Sequence, residues 1–403
     1  MTKSLDQKIA NIRANPSGAK DFILADAKDA DMAAGLAAPG IDALTRKVRS
    51  LADYRDQMRQ VLRQGLVDIL LMSASSSELL TIQERLFDNS HITPGVRAND
   101  TTDIHLMAGG TYPTAPSRPF RTATIEQMQS GKVNPTPDER RLGVNLGLYS
   151  ITPNNDIEFD YPTLEAYKEF RIEAEQKGFR HFLEVFDPNA CGAACPADLG
   201  RFINDLIVRT LAGVPSSGRP IFLKIAYHGP KAMEELVSYD PLLIAGILGG
   251  SSGTTYDAFK LLEEAKKYGA RAGLYGRKIN NSEHQLTFIK YLRAIADAQI
   301  TAEEAVRAYH GELEKLKIPP YRSLKDDQQL TDTATSYSGG GSTISLSGTA
   351  TPKKSATAVI PQPAAMPKKS DGSVDFSKMS QAQKVAYSRQ RIRADSSRNS
   401  NGA

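Results

Sequence analysis

The sequence has little cysteine, two residues in 403, at Cys191 and Cys195. That excludes a disulfide-stapled scaffold, and the spacing CxxxC without a second pair predicts free loop thiols in a reducing cytoplasm. No apolar run approaches the roughly 18–20 residues that cross a bilayer, which excludes a helical membrane protein. Met1 to Ala10 lack the apolar core of a secretory signal. A strong charge of either sign is missing too. The net charge is +4, but residues 353–403 carry +7, residues 325–352 carry −2 and residues 1–324 carry −1. The first 324 residues are therefore near neutral, and their charge does not make them a nucleic-acid binder.

What is present is an ordinary soluble composition, 40% hydrophobic and 24% charged, long enough for one large barrel with appendages. It changes near residue 325. Residues 325–375 are Thr, Ser, Gly, Ala, Pro and Lys, with pieces such as Ser338-Gly-Gly-Gly-Ser342. They lack the apolar density of a core and read as a flexible linker. Residues 376–403 form a basic tail in which Met379, Ala382, Val385, Ala386 and Ile392 make a weak apolar stripe, consistent with a short helix. A flexible linker ending in such a helix resembles the targeting peptides that load enzymes into bacterial microcompartments, which implies a shell protein as partner. A dispensable basic tail is the plain alternative. Beyond Tyr387 no aromatic interleaves with these basic residues, so single-stranded nucleic acid is a poor fit.

Residues 1–324 alternate short apolar runs with helical patterns. Eight runs stand out: Phe22–Ala25, Val67–Met72, Ile104–Met107, Val144–Tyr149, His181–Phe186, Ile221–Tyr227, Leu242–Leu248 and Ala270–Tyr275. Each gap has room for one crossover helix. Thr163 and Thr255 are candidate helix caps, Gly178 and Gly269 candidate stops, and Thr301 with Glu304 a capping box. Eight βα units predict a (β/α)8 TIM barrel followed by a disordered C-terminal tail, with a doubly wound open sheet as the alternative.

In such a barrel chemistry sits at the C-terminal strand ends. Lys224 lies in the middle of an apolar run, Ile221-Phe-Leu-Lys-Ile-Ala-Tyr227. Burial strips an ammonium of hydration and favours the free amine, a nucleophile able to form a Schiff base. Glu184, inside His181-Phe-Leu-Glu-Val-Phe-Asp187, is in position to move protons for that amine; a structural ion pair is the plain reading. Asp26 ends the first run and suits a substrate hydroxyl or a shared proton, or only a helix cap. Gly249, Gly250, Ser251 and Ser252 lead into a helix after the seventh run, and Gly276-Arg277 follow the eighth. Glycine N–H groups, serine hydroxyls, a helix N-terminus and a guanidinium together suit a phosphate. His105 and His228 fall at strand ends, but no HxH or HExxH spacing marks a metal site, and none is expected.

These residues, in this order, resemble the class I Schiff-base aldolases of the tagatose-bisphosphate and archaeal-type fructose-bisphosphate aldolase group, related more distantly to deoxyribose-phosphate aldolase. The pieces are Asp26, Phe182-Leu-Glu-Val, Phe222-Leu-Lys-Ile, the Gly-rich loop, and Ala272-Gly-Leu-Tyr-Gly-Arg277, over roughly residues 20–315. The resemblance implies Lys224 as the Schiff-base lysine, Glu184 as acid and base, Asp26 as an assisting carboxylate, and Gly250, Ser251, Gly276 and Arg277 at a substrate phosphate. It implies reversible aldol cleavage of a phosphorylated ketose without a metal or other cofactor, in a cytoplasmic homo-oligomer. Two departures stand out: no basic residue in His105–Gly110 or Leu148–Ile151 matches a distal-phosphate site, and Thr111–Arg141 has no counterpart. The alternatives are another sugar-phosphate barrel enzyme, an isomerase or a metal-dependent aldolase using His105 and His228, and a non-catalytic sugar-phosphate binder or scaffold of the same fold.

Overall fold

The computed structural model of the chain describes residues 2–42, 44–99, 115–250 and 253–331, with the single positions Pro367, Val374, Lys378 and Met379. The chain divides into two units, Met1–Ser342 and Thr343–Ala403. The expected helix in the basic tail, and with it the partner reading, lies outside the described residues.

In the first unit eight parallel strands close into a barrel: β1 (Ile23–Lys28), β2 (Ile69–Met72), β3 (Thr93–Arg97), β4 (Leu146–Ile151), β5 (Arg180–Val185), β6 (Leu223–Ile225), β7 (Gly246–Leu248) and β8 (Ala272–Tyr275). Because β1 pairs with both β2 and β8, the sheet has no edge, and the (β/α)8 barrel holds over the open sheet. One strand corrects the sequence reading. The third is Thr93–Arg97, and the run expected there, Ile104–Met107, lies outside the described residues. Pro94 and Gly95 break its apolar pattern, yet Gly95 leaves room that Ile69 and Leu71 of the neighbouring β2 fill.

Side chains alternate across a strand, so each residue faces the interior or the helices. Ile23, Ala25, Ala27, Ile69, Leu71, Leu146, Leu148, Phe182, Phe222, Ile244, Ala272 and Leu274 form one cluster, the barrel interior. The helix Ser4–Ala14 adds Leu5, Ile9 and Ile12 to it, which plugs the N-terminal end. Leu24, Leu70, Met72 and Tyr275 pack outward with the helices Leu51–Gln64, Thr255–Lys267, Gln285–Ala296 and Ala302–Lys315. Tyr149, Ile151, Leu183, Val185, Leu223 and Ile225 pack outward on the other side, against Ile157–Gln176 and Leu199–Ala212.

The capping box of Thr301 and Glu304 is present. The cap expected at Thr255 is Thr254, boxed with Asp257. The helix expected to start at Thr163 starts at Ile157 with Asp156 as its cap, and Thr163 instead donates to Phe159 O. Cys191 and Cys195, read as free thiols, are joined in a disulfide. The 3-10 turn Gly192–Ala194 brings their Cα atoms to 4.7 Å, a separation such a bond can span.

The barrel unit also runs past the boundary expected at 324. Asp327, on the short helix Leu324–Asp327, is buried, accepts from Thr255 N at 2.7 Å and pairs with His310 at 2.9 Å. Thr331 donates to Asp257 through its N at 2.8 Å and its Oγ1 at 2.5 Å, and Thr254 Oγ1 donates to Gln329 O. The start of this segment is polar in sequence but its carboxylate closes the first turn of the helix Thr255–Lys267. A chain ended after Thr331 is expected to unfold in urea as the full chain does. One ended after Lys325 loses Asp327 and its partners and is expected to be less stable by about 2–4 kcal/mol.

Candidate active site

The inward phase of β5 runs Phe182, Glu184, Phe186, and that of β6 runs Phe222, Lys224, Ala226. The ladder sets Glu184 directly beside Lys224. Their side chains meet as an ion pair, Nζ to Oε1 at 2.5 Å, with Glu184 1% and Lys224 8% exposed. Below them Phe182 and Phe222 stack with ring centroids 4.5 Å apart. Above them Phe186, Ala226 and Leu248 form a separate apolar cluster. Two charges held between apolar layers keep each other's company at the cost of their hydration, a cost repaid only by close geometry and further hydrogen bonds.

Those bonds exist. Ser150, inward on β4 and paired with Glu184 in the ladder, donates from Oγ to Glu184 Oε2 at 2.6 Å. Arg97, at the inward end of β3, donates to Ser150 Oγ at 3.4 Å and to Asp29 Oδ2 at 3.0 Å. Asp29, Arg97, Ser150, Glu184 and Lys224 thus form one chain of alternating charge across the C-terminal end of the barrel, all buried. Lys224 and Glu184 were legible in the sequence. Asp29 was legible by phase, since it continues Ile23, Ala25 and Ala27. Arg97 and Ser150 were not singled out: β3 was placed downstream of Arg97, and a serine carries no charge signal.

Asp26 is a correction. It pairs in the ladders with Leu70 and Tyr275, both of the outward cluster, so its carboxylate faces the helices and not Lys224. There it lies 3.4 Å from Lys28 Nζ, and neither of its buried oxygens has a hydrogen-bond partner among the described residues. Burial pushes its carboxyl up to about 6, against the pull of Lys28. Lys28 donates to Asn280 Oδ1 and, at 2.9 Å, to Gln285 Oε1, and burial lowers its amine.

At the anion-site candidates, Gly249 N donates to Leu274 O at 2.8 Å, and a Cβ there would strike the Tyr275 ring. Its glycine is needed for that close approach. Gly250 has φ +64, a conformation that favours glycine. Ser251 and Ser252 lie outside the described residues. A Cβ on Gly276 would come 2.7 Å from Ala27 O, so the turn after β8 hugs β1, and Arg277 opens the short helix Arg277–Asn280 partly buried. Lys278, which the sequence did not flag, donates to Gly253 O at 2.8 Å and ties the loop after β8 to the loop after β7. Burial lowers its amine to about 8, helped by Arg322 and opposed by Asp327 and Asp257.

The histidines divide. His181 faces outward, where its Nε2 meets Tyr167 OH at 2.9 Å, and burial lowers it to about 3. His228 pairs with Asp187 at 2.8 Å. His105 lies outside the described residues. Among the described residues, no group of three His, Cys, Asp or Glu comes together to hold a metal ion.

No family model matches the chain, and no curated protein matches it. Solved structures share its fold. One is an archaeal fructose-1,6-bisphosphate aldolase with its catalytic Lys covalently bound to the carbinolamine intermediate of the substrate. It is 16% identical, with 72% of this chain and 99% of that chain covered and a TM-score of 0.51. A second archaeal fructose 1,6-bisphosphate aldolase is 15% identical at the same coverage and TM-score. A third, a Schiff-base-forming fructose-1,6-bisphosphate aldolase, is 18% identical, again covering 72% and 99%, with a TM-score of 0.50. At such identities the likeness is one of fold. Among the described residues, no helix is long and apolar enough to cross a membrane.

The burial of Asp26 has a measurable sign. Its carboxyl titrates near 6 folded and near 3.8 unfolded, so between these values the folded chain holds the extra proton. Stability is expected to fall as pH rises from about 4 to about 6, by on the order of 3 kcal/mol. Asp26→Asn should lack this fall. Urea unfolding of both proteins across that range checks it, and parallel curves would place Asp26 in a wetter setting.

Proposed function

We propose that the chain is an aldehyde-lyase that cleaves a phosphorylated ketose through a Schiff base on Lys224, giving a dihydroxyacetone-phosphate-type product and an aldehyde. The observation that carries this reading is the Lys224–Glu184 pair, buried inside the barrel at the strand ends where such barrels do chemistry.

The pair stores the proton the first step needs. As an ion pair it has ammonium and carboxylate. Moving one proton from Nζ to Oε1 gives a free amine and a carboxylic acid, 2.5 Å apart. The amine adds to the ketone carbon, and a proton passes from nitrogen to the former carbonyl oxygen to give the carbinolamine. Glu184 then protonates that hydroxyl, which leaves as water, and the nitrogen lone pair forms the iminium. Glu184, again a carboxylate, takes the proton of the hydroxyl on the carbon beyond the bond to be broken. That C–C bond breaks, its electrons flow to the iminium as an enamine, and the aldehyde leaves. Reprotonation of the enamine and hydrolysis release the second product and restore Lys224. The protonated imine is the electron sink. The apolar layers above and below keep water from the pair and strengthen its electrostatics.

Gly249, Gly250, Ser251, Ser252, Gly276 and Arg277 would hold the substrate phosphate. What supports this is that the loops after β7 and β8 are bound to each other through Lys278 and Gly253, beside Lys224's strand. Since Gly249 N is already engaged, its share is the room it leaves rather than a donor.

The test is borohydride trapping with dihydroxyacetone phosphate, followed by digestion and mass spectrometry. An adduct on Lys224, absent in Lys224→Met, is expected. Glu184→Gln should form it roughly 10²–10⁴-fold more slowly. No adduct in the unaltered chain, with this and several ketose phosphates, would sink the proposal.

A further inference from the structure

We infer that Ser150, held by Arg97 and Asn99, positions Glu184 so that Oε1 alone exchanges the proton, which makes all three residues part of the machinery as positioning residues. The inference rests on the aldolase reading above.

A carboxylate has two oxygens and can be protonated on either. An acid that carries its proton on the oxygen turned away from the amine is of no use to a carbinolamine. Here the two oxygens differ. Oε1 faces Lys224, and Oε2 receives the Ser150 hydroxyl proton at 2.6 Å. Ser150 Oγ accepts from Arg97, and among the described residues Glu184 Oε2 is the acceptor its own hydrogen has, so a hydroxyl that accepted from Glu184 instead would leave that hydrogen without a partner. The order that satisfies every donor is Arg97 to Ser150 to Glu184. A proton on Oε2 would displace the Ser150 hydroxyl hydrogen from its acceptor, so Oε1 takes it.

Ser150 is itself clamped. Its N donates to Asn99 Oδ1 at 2.7 Å, and its O accepts from Asn99 Nδ2 at 2.9 Å, so one side-chain amide engages both backbone polar groups of Ser150. Arg97 Nε donates to Asn99 O at 3.0 Å, which closes the frame. Ser150, Asn99 and Arg97 are all buried, and an arrangement this fully bonded costs little to hold during the reaction. The charged groups facing Glu184 are Lys224 from β6 and, through Ser150, Arg97 from β3 with Asp29 after β1.

The experiment reads the rate of adduct formation on Lys224 with dihydroxyacetone phosphate and borohydride, as a function of pH, in the full chain. Ser150→Ala is expected to slow it about 10-fold. Its acid limb should move to higher pH, because the carboxylate loses a hydrogen-bond donor. Ser150→Thr keeps the hydroxyl and should restore both rate and profile, a rescue that a purely packing role would not give. If Ser150→Ala fails to fold, Ser150→Cys, a weaker donor, should shift the profile in the same direction. An Ala or Cys variant with unchanged rate and profile overturns the inference and leaves the aldolase reading standing. Absence of the adduct in the unaltered chain removes that reading, and with it this inference.

Discussion

A closed barrel gives each strand residue two directions, inward or toward the helices, and the two-residue period of the strand decides which. The interior is apolar from the plug of Leu5, Ile9 and Ile12 up to the stacked Phe182 and Phe222. At the next level the same inward phase delivers Glu184, Lys224, Ser150 and Arg97. All four are buried, so bulk solvent does little to screen their charge. Each must therefore be answered by a neighbour on the adjoining strand, and the parallel register brings those neighbours level. Moving one strand by a single residue would turn its charge outward and leave its partner buried alone.

The same period governs the two acidic residues near the end of β1. Asp26 and Asp29 are three apart, an odd number, and so they face opposite ways. Asp29 joins the interior chain through Arg97; Asp26 joins Lys28 in the layer between strand and helices. The two pairs have opposite meanings. Asp29–Arg97 begins a hydrogen-bond series that ends at the buried Lys224–Glu184 pair. Asp26–Lys28 is stitched to Asn280 and Gln285 and holds the turn after β8 against β1. One strand thus builds both the site and its support.

Much of this was legible in the sequence. A lone lysine and a lone glutamate inside apolar runs are conspicuous, since desolvation makes such placements rare without a reason. The eightfold alternation was legible because the inner and outer faces of a parallel barrel strand are both apolar. Asp26 was misjudged because residue type and position at a strand end were weighed and phase was not. The third strand was missed because Thr93-Pro-Gly-Val-Arg97 has one apolar side chain, and its burial comes from neighbours on β2 and β4 that only the closed sheet supplies. Arg97 went with it. The segment ending at Thr331 reads as linker because its contacts are polar and lie far away in sequence.

That segment gives the chain an order in time. Asp327 and Thr331 bind Thr255 and Asp257 across 72 and 74 residues. The helix whose first turn they close begins just after the glycine loop of the candidate phosphate site. During synthesis, β7 and β8 can be made and paired while that turn still lacks its clasp. The first turn of that helix therefore gets its clasp only when the residues just beyond the last barrel helix have emerged.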